Sequence, residues 1–264
     1  MAAGSDTEVD DGPSGGTSGG LVVDDGIEYY RIDGAEEMAP FLMTVVSDSD
    51  LWMFVSSTGA LTAGRIDADH ALFPYETDDR IHRAAGLAGP ITLIARTVGG
   101  ERQLWKPFAP VPTPGCTRSI AKSVLGNRLV FEEHNPTWES IFRTTWTPSD
   151  RYGWVRTVEL RHDVAAESPA ESPAEYEVLD GFLDVMPAGV DALTGQIRSN
   201  LVNAYKRSET GPWGTLAIYS LESLISDRAE PVEALTATVV WSSGLESADL
   251  LLDAGAVDDM IAGR

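Results

Sequence analysis

Lysine is nearly missing from this chain. Of its 19 basic residues only Lys106, Lys122 and Lys206 are lysine, and against 41 acidic residues they leave a net charge of −22. Such a field repels phosphates, which excludes a nucleic-acid binder working through a general basic surface. It suits a salt-adapted protein, whose carboxylates stay hydrated while dissolved ions screen their repulsion. Cysteine is limited to Cys116, so neither an internal disulfide nor a cysteine metal cluster is available. No apolar run approaches the length of a membrane span, and no basic, then apolar, N-terminal segment marks a secretory signal. The expectation is a cytoplasmic protein with no membrane and no nucleic-acid partner.

Catalytic signatures are also scarce. There is no G-x-S-x-G elbow, no phosphate-binding P-loop and no dinucleotide G-x-G-x-x-G. His70, His82, His134 and His162 never fall three or four apart, so no metal site and no cofactor are expected. Cys116 has no histidine near it in sequence and reads as an isolated thiol. Six adjacent acidic pairs occur, Asp78-Asp79 and Glu132-Glu133 among them. Composition alone gives about six, so each reads as a solvated face.

What is present is a β pattern. The 264 residues are 43% hydrophobic, enough for a large core. Residues 1–20 are acidic and rich in Gly and Ser and read as a disordered leader; residues 21–264 read as one sandwich domain. Within it, residues 165–175 repeat Glu-Ser-Pro-Ala twice, as a low-complexity loop. Leu51-Trp52-Met53-Phe54-Val55 leads through a Gly59 turn into Leu61-Thr62-Ala63-Gly64-Arg65. Residues 91–96 and 103–105 flank Gly99-Gly100 as a second hairpin. Further strands are expected at 118–124, 128–133, 138–146, 153–161, 175–184 and 233–242. Short strands with turns about every ten residues predict a mainly β fold, a large antiparallel sandwich.

One helix interrupts the strands over residues 190–206. Val190, Leu193, Ile197, Leu201 and Tyr205 recur at helical spacing and should pack on the sandwich. Asp191 near its start and Lys206 and Arg207 at its end suit the helix dipole. The last residues, 247–264, read as a peripheral strand plus short helix.

Two clusters carry chemistry. Arg65 with Tyr75, Glu76, Asp78, Asp79 and His82 supplies an aromatic ring, carboxylates, guanidinium and imidazole, the mixture that recognises sugar hydroxyls and C–H faces. The plainer alternative has Phe73 and Tyr75 plugging the sandwich end while the acids cap a turn. Lys206, Arg207, Asp227, Arg228 and Glu230 form the second group, read as an interdomain or intersubunit ion-pair network or as an ordinary helix end.

Ordered patches at residues 47–59, 61–65, 71–79, 126–133, 201–209 and 227–231 together resemble the N-terminal region of cellobiose phosphorylase-like proteins. The resemblance runs from about Leu21 onward. It implies a galactose-mutarotase-like supersandwich followed, in the family, by a helical linker and an (α/α)6 barrel that holds the catalytic aspartate and the phosphate site. Because few residues follow Trp241, the chain is expected to lack that barrel, as a truncated or split gene product. No catalytic residue is then carried over, and inorganic phosphate is a co-substrate only if a barrel is supplied. The expected partners are a barrel chain or a second copy of this chain, together with a carbohydrate. A stand-alone carbohydrate-binding module and a structural remnant without ligand are the alternatives.

Overall fold

A computed structural model describes residues 16–77, 79–162, 175–212, 214–222, 236–245, 248–253 and 255–264. In chain order the strands are β1 (Ser18–Asp24), β2 (Ile27–Asp33), β3 (Leu42–Val45), β4 (Leu51–Ser56) and β5 (Leu61–Arg65). Then follow β6 (Gly89–Val98), β7 (Glu101–Trp105), β8 (Thr117–Ser123), β9 (Leu129–Asn135), β10 (Ser140–Ser149) and β11 (Gly153–His162). The later strands are β12 (Glu175–Leu183), β13 (Lys206–Thr210), β14 (Leu216–Leu221) and β15 (Thr238–Trp241). The α-helices are α1 (Ala192–Ile197), α2 (Ser199–Tyr205) and α3 (Gly255–Ala262). None of them is long and apolar enough to cross a membrane.

The strands form a six-stranded sheet, β1-β2-β8-β9-β10-β11, and three three-stranded sheets, β3-β4-β5, β12-β6-β7 and β13-β14-β15, with every strand pairing antiparallel. The protein is mainly β, as expected, and packs as a sandwich. In β10, Ser140, Phe142, Thr144 and Trp146 are buried while the residues between them are half-buried, the period-two pattern of a strand with one face inward. Val45, Met53, Val55, Leu61 and Ala63 of β3-β4-β5 meet Ile120, Leu129, Phe131 and Trp146 of the six-stranded sheet in the main core. Ile94 and Trp105 of β12-β6-β7 meet Trp138 and Phe142 in a second cluster, with Trp105 edge-on to both rings. Each such large side chain contributes about 1.5–3 kcal/mol on burial. The α3 helix lays Met260 and Val257 on Leu93, Ala95 and Leu179, covering the other face of β6.

A buried ion pair ties the layers together. Glu133 of β9 is wholly buried and sits opposite Arg118 of β8. Arg118 Nε donates to Glu133 Oε2 at 2.7 Å, Phe108 N donates to the same oxygen at 2.8 Å, and Trp105 Nε1 donates to Oε1 at 2.8 Å. This corrects the reading of Glu132-Glu133 as a solvated pair. Alternation along a strand sends neighbours to opposite faces, so Glu132 reaches Arg31 on the outer face while Glu133 turns inward.

The six-stranded sheet is curled. Arg143 of β10 bonds to Asp24 at the end of β1. In a flat sheet four strand spacings would part these strands by about 19 Å, beyond the reach of an Arg–Asp pair. Tyr29 and Ile27 of β2 pack with Ala121 and Val130 on the outer face, while β1 stays largely exposed.

Two expectations change. The first strand begins at Ser18, inside the segment read as leader; residues 1–15 lie outside the described residues, as does most of the repeat at 165–175. The single helix over 190–206 is two short helices broken at Arg198 (φ −124°, ψ 32°). Gly195 weakens the first, and Ser199 and Asn200 favour a restart over continuation. The break leaves Val190 and Val202 buried but Leu193, Ile197, Leu201 and Tyr205 facing solvent. Lys206 and Arg207 are not the end of a long helix but the start of β13.

Candidate functional site

A cleft of about 170 Å³ opens between the segment after β5 and the start of α1. Its floor is apolar: Phe73, Met186 and Val190. Its rim carries Tyr75 and Glu76 from one wall and Asp191 and Gln196 from the other. Two hydrogen bonds join the walls, Met186 N to Leu72 O at 2.8 Å and Ala192 N to Asp69 Oδ1 at 3.0 Å.

Local chemistry fixes the rim. Asp191 accepts from Thr194 N at 2.7 Å and from Thr194 Oγ1 at 2.8 Å, which caps α1 and holds its carboxyl below the usual range. Close by, His70 Nδ1 lies 2.7 Å from Asp67 Oδ1, and this bond keeps the Asp67 carboxyl low as well. Tyr75 stands edge-on to Trp52, ring centroids 6.2 Å apart, and Trp52 Nε1 donates to Asp67 O at 3.0 Å. Gly64 beneath Trp52 is required, because a Cβ there would lie 2.6 Å from Trp52 Cζ2 and against His70 O.

Of the sugar-binding candidates, Tyr75 and Glu76 reach this cleft, while Arg65, Asp79 and His82 do not line it. Arg65 is turned to Asp50 at 2.7 Å. Asp79 accepts from Thr77 Oγ1, which lowers its carboxyl. His82 Nδ1 bonds to Ser56 Oγ at 2.7 Å. Asp78 lies outside the described residues.

The second group divides likewise. Lys206 stacks over the Tyr219 ring at 5.2 Å, and burial lowers its ammonium while Asp184 opposes the shift. Arg207 lies 3.6 Å from Glu209 and 3.7 Å from Glu222, both within its own sheet region. Asp227, Arg228 and Glu230 lie outside the described residues.

Met186, Gln196 and Asp69 were not singled out from sequence. Asp191 was legible as a helix start, but its meeting with Tyr75 depends on a contact across more than a hundred positions. Among the described residues no three His, Cys, Asp or Glu side chains are grouped to hold a metal ion. The cleft is smaller than the roughly 300–1,000 Å³ of small-molecule sites, which limits it to one ring-sized group. An aromatic edge, two carboxylates and an amide above an apolar floor suit a ring bearing hydroxyls. No protein-family model matches the sequence, and none of the curated proteins does.

Proposed function

We propose that this chain is the sandwich domain of a carbohydrate-active, cellobiose phosphorylase-like enzyme. It borders the sugar site and supports domain or subunit association, while bond breaking belongs to a helical barrel. The observation that carries this reading is the double use of α1. Ala192, Gly195 and Gln196 line the cleft. Leu193 and Ile197 of the same helix stay 63% and 68% exposed, continued by Leu201 and Tyr205 on α2. Large apolar side chains left in water favour a partner that covers them, at about 1.5–3 kcal/mol each. A partner on that stripe would stand beside the cleft. The acidic, single-cysteine composition fits a saline cytoplasm.

Mixing the chain with a helical-barrel chain encoded beside it should give phosphate-dependent release of a sugar 1-phosphate from a β-linked disaccharide. Leu193→Asp combined with Ile197→Asp should weaken the association at least tenfold with an unchanged circular dichroism spectrum. A stable complex inactive on a full disaccharide panel, or one indifferent to these substitutions, contradicts the proposal.

The cleft itself favours a second reading, a stand-alone carbohydrate-binding module. Tyr75→Ala and Glu76→Gln should then abolish binding on a glycan array; binding retained in both folded variants rules it out.

A further inference from the structure

A smaller cavity, of about 50 Å³, lies between the layers and shares no lining residue with the cleft. Two cations, Lys106 and Arg156, and three hydroxyl residues, Thr58, Thr92 and Thr144, line it above an aromatic floor that includes Phe131 and Trp146. Among the described residues no carboxylate belongs to this lining.

The hydrogen bonds orient these groups. Arg156, whose side chain is 5% exposed, donates through Nη1 to Asp180 at 2.9 and 3.1 Å, through Nη2 to Thr92 Oγ1 at 2.8 Å and through Nε to Thr144 Oγ1 at 3.1 Å. Thr92 passes its own hydrogen to Asp180 at 2.5 Å. Thr144 accepts from Arg156 and keeps a hydrogen to give. On the other wall, the wholly buried Ser56 Oγ lies 2.7 Å from His82 Nδ1 and 2.8 Å from Thr58 Oγ1. With His82 donating at Nδ1, Ser56 donates to Thr58, and Thr58 is left to donate into the cavity. Asp180 balances Arg156, whereas Lys106 makes no ion pair among the described residues. A Cβ on Gly86, which also lines the cavity, would lie 2.9 Å from the Lys106 Nζ.

We propose that this cavity binds one small tetrahedral oxyanion, phosphate by class, either free or as the terminal phosphoryl group of a monoester. Hydroxyl donors and an unbalanced ammonium supply charge-assisted hydrogen bonds. A volume of about three or four water-sized spheres admits the oxyanion and excludes a sugar ring. The site stands independently of the cleft and of the reading drawn from it.

Titration of the full chain with inorganic phosphate, and separately with glucose 1-phosphate, at constant ionic strength in KCl tests it by calorimetry and by ³¹P line broadening. Saturable binding with one site per chain is expected for at least one of the two, and which one binds distinguishes free phosphate from a monoester. Lys106→Met should weaken that binding at least tenfold, Thr58→Val several-fold, and Lys106→Arg should retain most of it, with ligand-free urea midpoints confirming that each variant folds. No saturable binding of either ligand up to tens of millimolar overturns the proposal. So does a folded Lys106→Met variant that binds as tightly as the parent.

Discussion

Replacing Glu133 by alanine tests the account of how the two layers are held together. The carboxylate is wholly buried and accepts from Arg118, Trp105 and Phe108. The Arg118 guanidinium, on a side chain 8% exposed, has one other hydrogen bond among the described residues, to Ala109 O at 2.8 Å, and lies over the Phe108 ring at 5.1 Å. Removing one partner of a buried ion pair costs about 3–5 kcal/mol, because the remaining charge is left in a poor solvent. The stranded Trp105 and Phe108 N–H groups add roughly 1–3 kcal/mol each, partly offset by water entering the void. A loss near 5 kcal/mol is the same order as the whole stability of a typical domain, about 5–15 kcal/mol. Urea unfolding followed by tryptophan fluorescence reads it directly. With a slope of about 3 kcal/mol per molar, the midpoint should fall by roughly 1.5–2 M. Glu133→Leu combined with Arg118→Met removes both charges at similar volume and should recover about 3 kcal/mol of that loss. A cost below about 1 kcal/mol for the single variant would refute the reasoning, as would a double variant no better than the single one.

Two other predictions concern titration and salt. Burial, reinforced by the nearby Glu133 charge, pushes the Cys116 thiol up to about 11. At pH 8 it should react with a disulfide reagent about a hundredfold more slowly than a free cysteine, and a rate equal to the free thiol's would contradict this. Between the ordinary thiol value and 11, the folded protein keeps a proton that the unfolded chain loses, so stability should fall as pH rises through that window. The fall should be shallower in Cys116→Ala, with the part due to the buried Tyr219 phenol remaining. Because 41 carboxylates face 19 cations, the melting temperature should rise from low salt to molar KCl as repulsion is screened; a flat or falling trend would count against an acidic surface adapted to salt.

Strands defined by local contrast were legible in the sequence. The Gly99-Gly100 turn, with Ile91-Thr92-Leu93 before it and Trp105 after, gives β6 and β7, and the alternation around Phe142 and Trp146 gives β10. Hairpin strands that lack such contrast were not, although their partners are the next strands along the chain. Gly19 and Gly20 resemble linker residues, yet they pair with Ile32 and Arg31 in β1–β2. β13, β14 and β3 also passed unmarked. Helical spacing over 190–206 correctly announced helix, but spacing cannot say which face is covered, and the break at Arg198 left the stripe outside. At the site, Tyr75 and Glu76 were identified from chemistry, whereas their opposite wall was hidden because only the folded chain brings α1 to them. Glu133 was misread because counting acids by composition ignores which side of a strand each one occupies.

The N-terminal hairpin joins a sheet whose next member, β8, follows dozens of residues later. On the ribosome, β2 emerges well before its neighbour exists, with Tyr29 and Ile32 still in water. Closure of the curled sheet through Asp24 and Arg143 comes only after β10 has been made. During that wait, a net charge of −22 would set up repulsion between nascent chains and keep their unpaired apolar strands apart. The acidity predicted to loosen the finished fold at low salt would thus serve the chain while it is still being synthesised.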